Sequence, residues 1–204
     1  MAIWNRRKPK AARKYPVPLT AHQLWMVSLS APVNRDRDAS RTTLYPFTRI
    51  DDDKARRWLA DQWEITSRDA LVGRLDDLAR TGYRTRARLR LGVEPLAWDA
   101  GLYVDISRRG FASGMLGEAE AWTALKNIVP AVVRSYASWN EYADHYLLGR
   151  MVWRDNLQGT PDADFPAPQA VSDAHLKSLL DPANRASPWN MAPWEAIGHP
   201  DHAR

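Results

Sequence analysis

The sequence predicts an all-α fold, in which about seven helical segments form a single compact domain with a tryptophan-rich core. Apolar residues recur at helical spacing through most of the chain, and helix start and stop signals bracket these stretches. Ten tryptophans among 204 residues indicate that aromatic side chains dominate the packing. The length suits one sizeable domain, and 45% hydrophobic with 26% charged residues is an ordinary globular composition.

The first half of the chain carries three helix start signals. Thr20 can cap a short helix that Pro32 stops. Asp51, Asp52 and Asp53 stand where the dipole of a second helix favours negative charge. A third helix starts around Ser67 and runs to Gly82, a natural left-handed stop.

The segment RTRARLR, residues 84–90, alternates basic residues with other residues. This pattern fits either a short strand or an exposed connector, and the stretch is too short to decide between them. A β-hairpin at this place would be the only sheet of the molecule, so the prediction allows at most one short hairpin.

The second half of the chain continues as helix. Pro95 opens a helix that ends near Gly110, and another helix begins at Glu118. Pro130 is expected to break or kink that second helix, because it lacks an N–H group. A last short helix is predicted over residues 172–180.

One helix, residues 138–153, carries an arginine within its apolar face. Ser138 and Glu141 have the spacing of a capping box at its start. At 100° per residue, Arg150 falls on the same side as the apolar residues of the helix, which are Trp139, Tyr142, Ala143, Tyr146, Leu147 and Trp153. An unpaired buried charge is very costly, so Arg150 should find a carboxylate or carbonyl groups.

Two acidic residues also fall on apolar faces of their helices, Asp99 and Glu118. We therefore expect Arg150 to pair with one or both carboxylates in the core. One interpretation is a structural clamp that fixes how the helices pack. The other is a ligand pocket in which this cluster meets a substrate beside Trp98, Trp122 and Trp139.

An enzyme built on this cluster would use Asp99 and Glu118 as acid or base and Arg150 to hold an anionic substrate. The sequence favours a non-enzymatic protein, since it has no nucleophile elbow, phosphate loop or dinucleotide fingerprint. The histidines lack metal-ligand spacing, and the chain has no cysteine, which excludes disulfides and thiolate sites. We predict no metal and no cofactor.

The net charge of +5 comes from the start of the chain. Removing six early basic residues leaves 23 basic residues against 24 acidic ones; these six are Arg6, Arg7, Lys8, Lys10, Arg13 and Lys14. We predict a disordered basic tail over residues 1–18, the domain over residues 19–195, and a flexible C-terminus over residues 196–204. The tail is the one part expected to bind nucleic acid or an anionic membrane surface.

The segment SPWNMAPW near the end of the chain combines prolines with Trp189 and Trp194. The first interpretation is that the two indoles cover one end of the helical bundle. The alternative is an exposed surface that recognises a partner protein, since aromatic residues are enriched at interfaces.

Several motifs, taken in order, resemble a bacterial family known only as domain-of-unknown-function family 1266: QWEITSRDALVGRLDDL, AWD, GMLGEAEAW, SWNEYADHYLLGRMVW and SPW…PW. The resemblance spans residues 25–194 and leaves out the basic tail. It implies a mostly helical bacterial domain and supplies no reaction, cofactor or catalytic residue.

The expected function is a helical module in the cytoplasm that binds another protein, within a toxin–immunity, secretion or stress system. No run approaches the ~20 apolar residues of a membrane span, so no transmembrane segment is predicted. Two other functions remain open: a small enzyme or ligand-binding protein built on the Asp/Glu/Arg cluster, and a nucleic-acid or anionic-surface binder built on the tail.

Overall fold

A computed structural model describes residues 19–33, 44, 52–155 and 168–198. Within them the chain is helical and has no strand, so the predicted all-α class is confirmed. The helices are α1 (Ala21–Ser28), α2 (Asp52–Trp63), α3 (Arg68–Arg80), α4 (Arg84–Leu91), α5 (Leu96–Ala112), α6 (Glu118–Ser135), α7 (Trp139–Asp155), α8 (Gln169–Leu180), α9 (Pro188–Met191) and a 3-10 helix (Trp194–Gly198). In this part of the chain no helix has the length and hydropathy of a membrane span.

Helix α5 is the centre of the molecule. It packs against α2, α3, α6 and α7, and nearly all of its side chains are buried. Its sequence, LAWDAGLYVDISRRGFA, carries apolar or small residues on every side, which is the pattern of a helix surrounded by others. The charged residues of α5 are therefore forced into the core with the rest.

Side-chain caps start α1 and α7 where the sequence predicts them. Thr20 Oγ1 accepts from the Gln23 amide at 3.2 Å, and the Thr20 amide donates to Gln23 Oε1 at 3.0 Å. In α7, Ser138 Oγ accepts from the Glu141 amide at 3.2 Å. Glu141 reaches back to the amide of Ala137 at 2.7 Å, one residue earlier than in the usual capping box.

Two expectations about helix continuity are wrong: the strand or connector at residues 84–90, and a helix break at Pro130. The RTRARLR segment is helix α4, because the Asp99 carboxylate accepts from backbone amides at its start and Gly92 ends it in the left-handed region at φ 72°. Helix α6 does not end at Pro130. Buried Ile128 and Val132 flank that proline and hold the helix to the core on both sides.

The aromatic core has two groups. The first surrounds Trp139 at the end of the bundle, where its ring stacks on Trp189 at 5.0 Å and meets Trp194 edge-on at 4.8 Å. The second surrounds Trp153, whose ring lies 5.7 Å from Trp98 and 6.2 Å from Trp63. Aromatic pairs of this kind stabilise a core by about 0.5–1.5 kcal/mol beyond the area that they bury.

The interpretation of Trp189 and Trp194 as an exposed partner surface is wrong. Their exposed fractions are 2% and 8%, and the Trp189 indole N–H donates to the carbonyl of Ser28 at 3.0 Å. The two indoles instead cover the end of the bundle. Ala196 and Ile197 also pack against the core, so the predicted flexible C-terminus begins too early. The predicted tail, residues 1–18, lies outside the described residues.

A glycine sets the distance between α5 and α7. A Cβ at Gly149 would lie 2.4 Å from Cβ of Trp98 and 3.3 Å from the carbonyl oxygen of Pro95. These are neighbouring atoms with little freedom to move, so the two helices approach this closely only because residue 149 has no side chain.

Replacing two helical glycines by alanine should therefore give opposite results. Gly149→Ala is expected to lower the free energy of unfolding by about 1–3 kcal/mol through overpacking. Gly73→Ala, in α3 where nothing lies within 4 Å, should raise it by about 0.5–1 kcal/mol through helix propensity. Urea unfolding followed by circular dichroism measures both changes. Equal effects would contradict the close approach.

Candidate functional site

Arg150 lies inside the molecule, with 1% of its surface exposed. Its Nη1 group donates to Oε1 of Gln169 at the start of α8. Gln169 in turn donates through Nε2 to Asp173 Oδ1 at 2.6 Å. The neutral amide thus stands between the guanidinium and a carboxylate, and the three residues join α7 to α8.

The predicted pairing of Arg150 with Asp99 and Glu118 is wrong. Asp99 is buried but binds Arg84, whose Nη1 lies 3.0 Å from its Oδ2. Glu118 is exposed in the first turn of α6, where the helix dipole favours negative charge without any burial.

The carboxylate of Asp99 accepts hydrogen bonds from three donors. Oδ1 accepts from the Tyr83 amide at 2.9 Å, and Oδ2 accepts from the Arg84 amide at 3.1 Å and from its guanidinium. The same guanidinium donates to the carbonyls of Leu78 and Ala79, both at 2.7 Å. We call this arrangement the Asp99 clamp; it joins the end of α3, the start of α4 and the first turn of α5.

Burial dominates the protonation of Asp99. Desolvation raises the pKa of its carboxyl group from 3.8 to about 6, while the hydrogen bonds from Arg84 and Tyr83 act in the opposite direction. A pKa near 6 suits acid–base chemistry, but the side chain has no exposed surface. This complete burial favours the structural interpretation of Asp99.

The three tryptophans of the predicted pocket do not come together. Trp98 packs against Tyr146 and Trp153, whereas Trp139 belongs to the group at the end of the bundle. Trp122 is half-buried on α6 and packs against the core. Together with the exposed position of Glu118, this separation removes the basis for a single aromatic pocket around the acidic cluster.

Two further buried charges on α5 were missed by the sequence analysis. Arg108, with 1% exposed, donates through Nε to the carbonyl of Leu44 at 2.8 Å and through Nη1 to Ser30 Oγ at 2.7 Å. Asp105 binds Arg109 at 2.9 Å, and the Arg109 guanidinium stacks 3.8 Å above the ring of Trp58. The apolar character of α5 on all sides could have predicted that both side chains are buried.

No group of three or more potential metal-ligating side chains occurs among the residues that the structure describes.

Helix α4 has an exposed face of unusual composition. Leu89 is 86% exposed, and Arg86, one turn earlier on the same side of the helix, is also exposed, as is Arg90. Leu91 and Val93 follow at the end of the helix, with 36% and 41% exposed. Leu91 is two positions from Leu89 and therefore on the other side of the helix, so we use the name α4 face for the exposed side that carries Arg86, Leu89 and Arg90.

The comparison with protein families shows which family the chain belongs to. The family model described as "Protein of unknown function (DUF1266)" matches residues 83–194, more than half of the chain. The chain belongs to this family. The part that matches the DUF1266 model contains the α4 face, Asp99, Arg108 and Arg150 and ends at the first residue of the 3-10 helix. The searches of curated proteins and of solved structures give no match.

The raised pKa of Asp99 predicts a pH-dependent stability. Because its pKa is higher in the folded state than the ordinary value of 3.8, its contribution is fully present below that value and is lost as the pH rises through about 6. Asp99→Asn removes this titration. The stability of the native protein relative to Asp99→Asn should therefore be greater at about pH 5 than at about pH 7.5, by on the order of 1 kcal/mol.

Urea unfolding of both proteins at the two pH values measures this difference. Asp144→Asn, at an exposed position of α7, is the matched control. An equal stability difference between native protein and Asp99→Asn at both pH values would show that the carboxyl group does not titrate in this range.

A second prediction concerns Gly82, which lies beside the Asp99 clamp at φ 58°. A Cβ there would lie 2.0 Å from Oδ2 of Asp99. Gly92 has a similar φ of 72° but nothing within 4 Å of its Cβ position. Gly92→Ala should cost about 1–2 kcal/mol for the left-handed backbone alone. Gly82→Ala should cost at least about 2 kcal/mol more, because it displaces a buried carboxylate.

The unfolding free energies of both variants, measured side by side, isolate the contribution of the Asp99 clamp. If the two variants lose equal stability, the Asp99 carboxylate does not fill the space in front of Gly82.

Proposed function

We propose that this DUF1266 chain is a non-enzymatic helical module that binds an acidic segment of a partner protein through the α4 face. The observation that carries the proposal is Leu89, a large apolar side chain with 86% of its surface in solvent next to Arg86. A leucine in this position adds nothing to the packing of the domain itself, whereas an interface would bury it.

The exposed apolar residues are concentrated at this place. Within the described residues, eight large hydrophobic side chains are exposed, and Leu89, Leu91 and Val93 are three of them within five positions. Leu89 is the most exposed of the eight, and an apolar side chain rimmed by polar ones at this level of exposure is typical of an interaction surface.

The charge of the α4 face indicates the chemistry of the partner. Arg86 lies one turn before Leu89 on the same side of the helix, and Arg88 binds Glu94 at 3.0 Å in a largely exposed ion pair. Guanidinium groups pair with carboxylates through two parallel hydrogen bonds, and arginine is enriched at protein interfaces. A partner segment with Asp or Glu close to an apolar residue matches this pattern.

The α4 face is held in place before any partner binds. The Asp99 clamp fixes the start of the helix through the amides of Tyr83 and Arg84, and Ala87 is buried against the body. Preorganisation of this kind lowers the entropy cost of association.

Nucleic acid is a weaker match for the same surface. Phosphates would account for the arginines, but they would leave Leu89 in water, because backbone phosphates make polar contacts. The enzyme hypothesis loses its support because the Asp99 carboxylate is sealed in the core. The role of the basic tail stays a prediction, and deletion of residues 1–14 tests it through the salt dependence of binding.

Selection of displayed peptides on the purified full chain tests the proposal. We expect the enriched peptides to carry Asp or Glu around an apolar anchor. Leu89→Ser should weaken their binding about tenfold or more, since central anchors contribute most of the affinity. Val72→Ser in α3 is the matched control, because Val72 is also exposed, at 44%, and lies outside the α4 face. Its binding should equal that of the native protein.

Two outcomes would overturn the proposal. One is peptide binding that Leu89→Ser leaves unchanged. The other is titration of the α4 face by RNA or by anionic phospholipid vesicles, seen as perturbed amide signals of residues 84–93, with no effect of acidic peptides.

A further inference from the structure

A second feature of the surface lies away from α4, in a cleft of about 360 Å³ between the first turn of α1, the middle of α6 and the 3-10 helix. Met26, Val129, Pro130 and Ile197 form its apolar wall. A volume near the lower end of the range of ligand pockets suits a small molecule. None of the residues of the α4 face or the Asp99 clamp lines it.

The charge of the cleft has one sign. Lys126 on α6 and His22 on α1 belong to its lining, and none of the described lining residues is acidic. The first turn of α1 adds the positive end of its helix dipole. Of the two basic side chains, Lys126 is exposed and can place its ammonium group over the opening.

His22 fixes the shape of the cleft. Its Nε2 lies 2.7 Å from the carbonyl oxygen of Ile197, and since a carbonyl only accepts, Nε2 carries the hydrogen. This bond ties α1 to the 3-10 helix across one side of the cleft. The wall formed by Met26 and Ile197 is therefore in place without a ligand.

We propose that this cleft binds a small amphipathic carboxylate, with the carboxylate at Lys126 and the aliphatic or aryl body against Met26, Val129 and Ile197. A single lysine matches one negative charge. An apolar wall would leave the polar oxygens of a polyphosphate or a sugar without hydrogen-bond partners. A protonated amine of the same shape would be repelled by the ammonium group of Lys126. The proposal does not depend on the α4 face or on its partner.

Nuclear magnetic resonance titration of the full chain with sodium octanoate tests this site. Octanoate should perturb the amide signals of the cleft residues. Octylammonium should perturb them much less, and octan-1-ol should bind more weakly than octanoate because it lacks the charge. Lys126→Met should weaken octanoate binding about threefold to fivefold, the effect of one exposed ion pair, and leave octan-1-ol binding unchanged.

A matched pair of variants on α6 separates the cleft from the general surface. Val129→Asp places a carboxylate in the apolar wall and should abolish octanoate binding. Val133→Asp makes the same change one turn along the same helix, at a residue that is 38% exposed and does not line the cleft, and should leave binding unchanged.

Several results would overturn the proposal: no amide shifts with octanoate up to about 10 mM, a concentration that saturates a millimolar site; equal affinity for octanoate and octylammonium; or equal loss of binding in Val129→Asp and Val133→Asp. If Val129→Asp does not fold, the Lys126→Met titration decides the matter alone, since Lys126 is exposed and its side chain is not part of the core.

Discussion

The carboxylate of Asp99 determines how three helices meet. It accepts from two backbone amides at the start of α4, and it neutralises Arg84, which also binds the last carbonyls of α3. Those amides and carbonyls belong to helix ends, whose polar groups otherwise need water. Four of the eight residues of α4 are arginine, and the apolar surface of this helix is too small to hold it against the core. The buried carboxylate of Asp99 therefore holds α4 in place.

The buried charges of this protein are bonded to both charged and neutral groups. Asp105 pairs within its own helix with Arg109, and Arg108 donates to the backbone carbonyl of Leu44 and to the hydroxyl of Ser30. Arg150 meets the neutral amide of Gln169. Bonds of this kind compensate part of the desolvation of each ion. They explain why a central helix with four charged residues can be almost wholly buried.

The sequence predicts the helices and the inward turn of Arg150, because helical periodicity depends only on residues within one segment. It does not predict that Asp99 binds Arg84, since the choice between two arginines depends on which helices become neighbours. The helical position of Arg84 was also not predictable, because the alternating RTRARLR pattern resembles a strand. The cap that stabilises the helix comes from Asp99 on α5. Glu118 shows the opposite case: its wheel position faces the core, but a first-turn residue can turn to water.

In this molecule the exposed fraction of a side chain distinguishes structural residues from candidate binding residues more clearly than its charge does. Asp99, Arg108 and Arg150 have the perturbed surroundings of a catalytic site, yet each has at most 1% of its surface exposed. A group must touch its ligand to act on it, so such burial favours a structural role for these residues. The reverse holds for Leu89, which stabilises nothing within the described structure and has 86% of its surface available. A side chain that does not contribute to the packing of the domain remains available to bind a partner.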